Sequence, residues 1–192
     1  MTPHSITEQR KKLKRYDIPG HAHELTFSCY HRFHYLKDNK VCAILIDELS
    51  QARKQFLFRL WAYVVMPNHV HLFIYPTQAE YKISTILQSI KGKTSKRYRD
   101  ILLQENPERY DKLCIKVGNK KVFRFWQAGG GFDRNLWNAK AIHSSIQYIE
   151  YNPVRAGLVK APEEWPGSSA YARYMNKGLQ PDSLDIPILM KS

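Results

Sequence analysis

Cysteine is scarce in this chain. Cys29, Cys42 and Cys114 are the only three among 192 residues, widely spaced and without a Cys-x-x-Cys pair, so neither a disulfide framework nor a zinc knuckle is supported and a reducing compartment is expected. Long apolar runs are missing too. None approaches the roughly 20 residues needed to cross a bilayer, and Met1 to Arg10 is polar where a signal core would be apolar. No lipidation signal and no basic amphipathic helix with a bulky apolar face stands out, so a membrane partner is not expected and a soluble, cytoplasmic protein is. Gly92-Lys93-Thr94 looks like the tail of a phosphate-binding loop, but Leu87 stands where that motif needs its first glycine. Besides His69-Val70-His71 the sequence holds one other His-x-His, His21-Ala22-His23, and no His-x-Thr, and without the latter a two-histidine-motif phosphoesterase is not supported. Acid is also in short supply. Seventeen Asp and Glu face thirty Lys and Arg, for a formal charge of +13 and a pI of about 9.7. Such self-repulsion is best relieved by a polyanion, and nucleic acid is the default candidate.

The length suits one domain with modest extensions. Residues 1–20 carry Arg10, Lys11, Lys12, Lys14 and Arg15 and end at Pro19-Gly20, so they read as a basic arm, with the domain at 21–172 and a tail at 173–192. Alternation over Leu25 to Tyr30 predicts a strand, and Ile44, Leu45, Ile46, Leu49 and Phe56 give Val41 to Phe58 helical periodicity. Leu60 to Val65 and Val70 to Tyr75 predict an antiparallel hairpin about Pro67-Asn68. A second helix is expected over Ile83 to Tyr98, a polar excursion from Ile101 to Lys121, a strand at Val122 to Trp126, and a last helix from about Ala139 to Tyr151 that stops at Asn152-Pro153. The order β-α-β-β-α-β is that of a ferredoxin-like α+β sandwich, with helices on one face and an added C-terminal helix.

Two segments carry chemistry. His69 and His71 lie two apart at the start of a predicted strand, so both rings share a face and can converge on a divalent ion. On the last helix Ile142, Ile146 and Ile149 form the buried stripe, Tyr148 falls beside it, and Tyr151 lies almost opposite. Tyr148 and Asn152 are four apart, close enough to reach one ion. A phenol with a reference pKa near 10 is a weak nucleophile unless a cation or base is near, and a histidine-bound metal supplies the cation. Two imidazoles with an amide oxygen and water would tolerate magnesium or manganese, manganese binding more tightly. On the second helix Lys93, Lys96 and Arg97, with Tyr98 among them, could follow a DNA backbone and stack a base. Arg10, Lys11 and Lys12 of the arm could do the same.

His69-Val70-His71 after Met-Pro-Asn, Phe125-Trp126-Gln127, Phe132-Asp133-Arg134-Asn135, Tyr148 through Val159, and Trp165-Pro166-Gly167-Ser168-Ser169-Ala170 together resemble the REP-associated tyrosine transposases, within the HUH single-tyrosine transposases. The resemblance spans roughly residues 20 to 172. It implies a ferredoxin-like fold, a divalent metal on both histidines with Asn152 as third ligand, and Tyr148 as a nucleophile forming a 5′-phosphotyrosine. It also implies single-stranded DNA with hairpins as substrate, often repetitive extragenic palindromes, with Arg134 among the DNA contacts. Gly129-Gly130-Gly131 makes a longer, more glycine-rich turn than the single-glycine turn of the family. Related insertion-sequence transposases carry glutamine at the position of Asn152 and exchange the tyrosine helix within a dimer. The asparagine-proline form points instead to a site completed within one chain, whether the protein is a monomer or a homodimer. A hairpin-binding protein that keeps the fold without the chemistry is the alternative.

Overall fold

Apolar residues at helical spacing build the two helices that cover one face of the sheet. In α1 (Asn39–Phe56) the buried residues Val41, Ile44, Leu45, Leu49 and Ala52 form one stripe, and the Asp38 side chain caps the first turn through the Lys40 amide. In α2 (Ile83–Glu105) the stripe runs from Ile83, Ile86, Leu87 and Ile90 through Thr94 and Tyr98 to Leu102. That continuation carries the helix past Tyr98, where its basic cluster suggested an end. The computed structural model describes residues 16–184. Arg10, Lys11 and Lys12 therefore lie outside the described residues, as does the end of the tail. Residues 16–18 of the expected arm lie on the fold: Asp17 accepts the Ile83 amide at 3.1 Å and Asn135 donates to the Tyr16 carbonyl at 2.7 Å.

The strands β1 (Ala22–Ser28), β2 (Phe58–Val65), β3 (His69–Pro76) and β6 (Phe132–Leu136) make one antiparallel sheet in the order β2-β3-β1-β6. This is the expected ferredoxin-like order, but its fourth strand is not Val122 to Trp126. Lys120–Phe123 is instead β5, which pairs only with β4 (Cys114–Val117) in a separate hairpin after the short helix α3 (Pro107–Lys112). The alternating aromatics misled because they are buried for another reason. Phe125 and Trp126 sit under α2, and the Trp126 indole donates to the Lys91 carbonyl at 3.0 Å. Trp126 meets β1 by one bridge to Cys29, and Phe132 then pairs with Thr26. Three steps along β1 thus face six along its partner, and the surplus is looped out at Gly129-Gly130-Gly131.

Pleating assigns the two faces. Leu25, Phe27, Leu60, Tyr63, Val70, Leu72 and Ile74 pack with α1 and α2 in the larger core. Ala22, Trp61, Ala62, Val64, Phe73 and Leu136 pack on the other face with Ile142 and Ile149 of α4 (Ala139–Glu150), so the tyrosine helix forms a third layer. A register shift between Leu60 and Ala62 lets Trp61 and Ala62 both join that second core. The tyrosine helix ends at Glu150, just before Asn152-Pro153 as expected. The chain breaks at Tyr151 and resumes as α5 (Asn152–Arg155), with Pro153 in its first turn, where the missing N–H costs nothing. Past it, Trp165 donates to the Val65 carbonyl at 2.9 Å, and α6 (Ser169–Met175) packs at the edge of β2. Among the described residues no helix is long and apolar enough to cross a membrane.

Candidate active site

Strand alternation puts His69, His71 and Phe73 on the α4 side of β3. The opposite residues of β1 are Ser28, Thr26 and Glu24, and beyond them on β6 lie Phe132 and Arg134. α4 crosses this surface, anchored at its start by Asn138, whose side chain accepts the Ala141 amide at 2.8 Å. At its far end Glu150 accepts from Ser169 and Arg173 of α6. The Tyr148 ring then meets the His71 ring edge to face at 6.0 Å, and the two histidine rings are 4.9 Å apart. Glu24, Thr26, His71, Phe132, Arg134 and Tyr148 line a hollow of about 460 Å³. Tyr148 is 48 % exposed, open to a macromolecule, whereas His71 is only 6 % exposed.

Each histidine is oriented from behind. His69 Nδ1 donates to Asn68 Oδ1 at 2.6 Å, and His71 Nδ1 shares a 2.8 Å hydrogen bond with Thr26 Oγ1. Both arrangements leave Nε2 for another partner, the pattern of metal-binding imidazoles held by outer-shell oxygens. Burial holds His71 down to about 3, helped by the charges of His69 and Arg155. His69 is lowered by burial and then by Arg32. Both rings are therefore neutral donors at physiological pH. Among the described residues, no group of three His, Cys, Asp or Glu side chains is placed to hold a metal. Asn152 Nδ2 donates to the Tyr148 carbonyl at 3.2 Å, which folds its side chain along the end of α4.

Sequence reasoning missed several neighbours. The Arg155 guanidinium stacks 4.1 Å from the centre of the Tyr148 ring and donates to the Tyr148 carbonyl at 2.6 Å. Arg155 lies seven residues on, in α5 beyond the end of the tyrosine helix, so the periodicity of α4 did not announce it. Glu24 is buried on the floor, where it accepts from Ser145 Oγ at 2.8 Å and pairs with Arg134. Thr26 and Glu24 share the histidines' face, but only the β1–β3 register reveals it. Arg134 thus stands in the hollow, already engaged by a carboxylate.

The α2 cations stand elsewhere, across the sheet. Arg97 pairs with Asp47 and, at 2.7 Å, with Glu48 of α1, while Lys93 donates to Gln55 at 3.2 Å and Lys96 is exposed. Tyr98 stacks no base, because it is fully buried and donates to Asp38 at 2.7 Å.

Residues 19–127, more than half of the chain, match the family model "Transposase IS200 like". A REP-associated tyrosine transposase of Escherichia coli K12 is 25 % identical over 172 residues, 88 % of this chain and 88 % of that protein. Among solved structures, a REP-associated tyrosine transposase bound to a REP hairpin superposes with a TM-score of 0.67 at 21 % identity, covering 92 % of this chain and 95 % of that one. This last likeness concerns the fold. Tyr148 and Arg155 lie beyond the residues that the family model matches.

Proposed function

This chain belongs to the IS200-like transposase family, and from that premise we propose that it cleaves and rejoins single-stranded DNA near hairpins, with Tyr148 as the attacking group. The observation that carries this reading is the meeting of Tyr148 with the neutral His71 in one open hollow, with the His69 ring 4.9 Å from that of His71. Tyr148 Oη attacks a backbone phosphorus, the P–O3′ bond breaks, and the strand leaves with a free 3′-hydroxyl. The 5′-phosphate stays on the tyrosine, and the phenolic proton passes to solvent while the leaving O3′ takes one from it. Return of a 3′-hydroxyl reverses the exchange, so no external energy source is needed.

His69 and His71 fit a divalent ion by protonation and Nδ1 anchoring, and together with an amide oxygen and water they would tolerate magnesium or manganese. In this proposal Asn152 Oδ1 is the third protein donor. When bound, such an ion would polarise the scissile phosphate and favour the phenolate. The chain's own groups do the rest. Arg155 lies over the Tyr148 ring and holds the Tyr148 carbonyl, so it fixes the position of the phenol. Glu24 and Ser145 fix Arg134 at the rim, 110 residues away in sequence but adjacent across the β1–β6 pair. There it can meet the DNA backbone.

A labelled hairpin oligonucleotide with a single-stranded flank, incubated with protein and magnesium or manganese, should give a covalent adduct on a denaturing gel. Tyr148→Phe should abolish the adduct and leave binding nearly unchanged, while Tyr151→Phe stays active. Loss of the adduct in Tyr151→Phe with retention in Tyr148→Phe would overturn the assignment. Tight hairpin binding with no adduct at all would leave a binding protein that keeps the fold.

A further inference from the structure

Three hollows lie in line around the edge where β1 meets the looped-out glycines. The tyrosine hollow shares Thr26 and Phe132 with a second of about 200 Å³, lined also by Arg32, Lys91, Gln127 and Gly131. The second shares Lys91 with a third of about 440 Å³, between α2 and the glycine turn. The turn is held in place. Lys91 donates to the Gly129 carbonyl at 2.9 Å, and Gly131 passes so close to β1 that a Cβ there would sit 2.0 Å from the Thr26 carbonyl oxygen.

The third hollow has the lining of a site for a flat polar ring. Phe123 offers a half-buried aromatic surface, while Gln88, Ser95 and Arg124 offer hydrogen-bonding groups. Arg124 Nε is buried with no hydrogen-bond partner, and a buried donor of that kind calls for an acceptor. The hollow's volume falls in the range of small-ligand sites. At the doorway Phe132 is 45 % exposed, a platform for stacking between the tyrosine and the edge. Arg32 is exposed in the second hollow, in the left-handed backbone region at φ 55°, a conformation that side chains rarely hold without a structural reason.

We propose that the third hollow receives one nucleobase from the single-stranded part of the DNA whose phosphate lies at Tyr148, with the backbone crossing the sheet edge between Arg32 and Lys91. This rests on the DNA-cleaving reading above and adds to it a place where the flanking strand is read. Stacking on an aromatic supplies sequence-tolerant affinity, and the edge groups of Gln88, Ser95 and Arg124 supply base discrimination.

Gly92 allows a clean test. It lines the hollow, lies within α2, and a Cβ there meets no atom within 4 Å. Gly92→Leu therefore fills the mouth and improves helix propensity. The probe is a hairpin oligonucleotide whose single-stranded flank carries 2-aminopurine at each position in turn, titrated in chelator so that binding is read apart from chemistry. With the wild-type chain one flank position should change fluorescence distinctly from its neighbours. Gly92→Leu should erase that response and weaken binding about tenfold, and Arg124→Gln should weaken it in the same direction. A hairpin without the flank should bind all three proteins alike. If no position responds, or Gly92→Leu responds as wild type does, the proposal is overturned. Should Gly92→Leu fail to fold, Arg124→Gln and Gln88→Leu decide by the same readout. A responding base with no adduct in magnesium or manganese would overturn the cleavage reading alone, and an adduct with no responding base would overturn this one alone.

Discussion

His71 lies beneath Tyr148 as a neutral ring, and acid exposes what that costs. Burial, then His69 and Arg155, lower it from 6.5 to about 3, so between those values the unfolded chain binds a proton that the folded chain refuses. Its contribution to stability is fully present above pH 6.5 and is lost as pH falls towards 3. One such histidine adds a slope of at most about 1.4 kcal/mol per pH unit, and His69 acts in the same direction. His71→Gln should therefore show a shallower loss of stability between pH 6.5 and 4.5 than the wild type, read by urea denaturation. Parallel lines for the two proteins would mean that His71 is not held neutral. A second readout concerns metal. Saturating manganese should raise the melting midpoint of the wild type but not of His71→Gln.

At the scale of elements, the glycine turn and α2 make opposite demands on the same residue type. Gly131 has φ 73° and its missing Cβ would collide with the Thr26 carbonyl, so Gly131→Ala should cost about 2–3 kcal/mol in chemical denaturation. Gly92 sits in open helix surface, and Gly92→Ala should stabilise by up to about 1 kcal/mol. Equal effects of the two changes would contradict the looped-out edge. The same edge marks where sequence reading stopped. The histidine hairpin and the α4 stripe of Ile142 and Ile149 were legible, because period two and period 3.6 are local properties of β3 and α4. The fourth strand was not, because Val122 to Trp126 alternates as a strand does, while the pairing that excludes it depends on β1, about a hundred residues away. Thr26, Glu24 and Arg155 escaped for the same reason. Their places follow from register and from a helix that restarts at a proline, neither of which composition announces.

For the whole molecule, the question is which part of the +13 charge meets DNA. Single-strand binding weakens with a slope of about −0.7 per phosphate contacted, so four to six contacts give roughly −3 to −4 in log affinity against log salt. Arg97 is paired with Asp47 and Glu48, and Lys93 reaches Gln55. Taking about 100° per residue, Lys93, Arg97 and Lys96 point about 170°, 150° and 110° away from the centre of the α2 stripe of Ser84, Gln88, Lys91 and Ser95 that lines the hollow. Replacing the three by alanine should leave the slope almost unchanged, whereas Arg32→Ala with Lys91→Ala should flatten it by about one to two phosphates' worth. A flattened slope in the triple variant would instead place the outer face of α2 on the DNA. Tyr148 rests on the sheet of its own chain, with α4 tied down at both ends and its ring 6.0 Å from that of His71. Two differently disabled proteins then have nothing to lend each other: a mixture of His71→Gln and Tyr148→Phe should form no adduct, and recessive lesions at the two positions should fail to complement in the same cell.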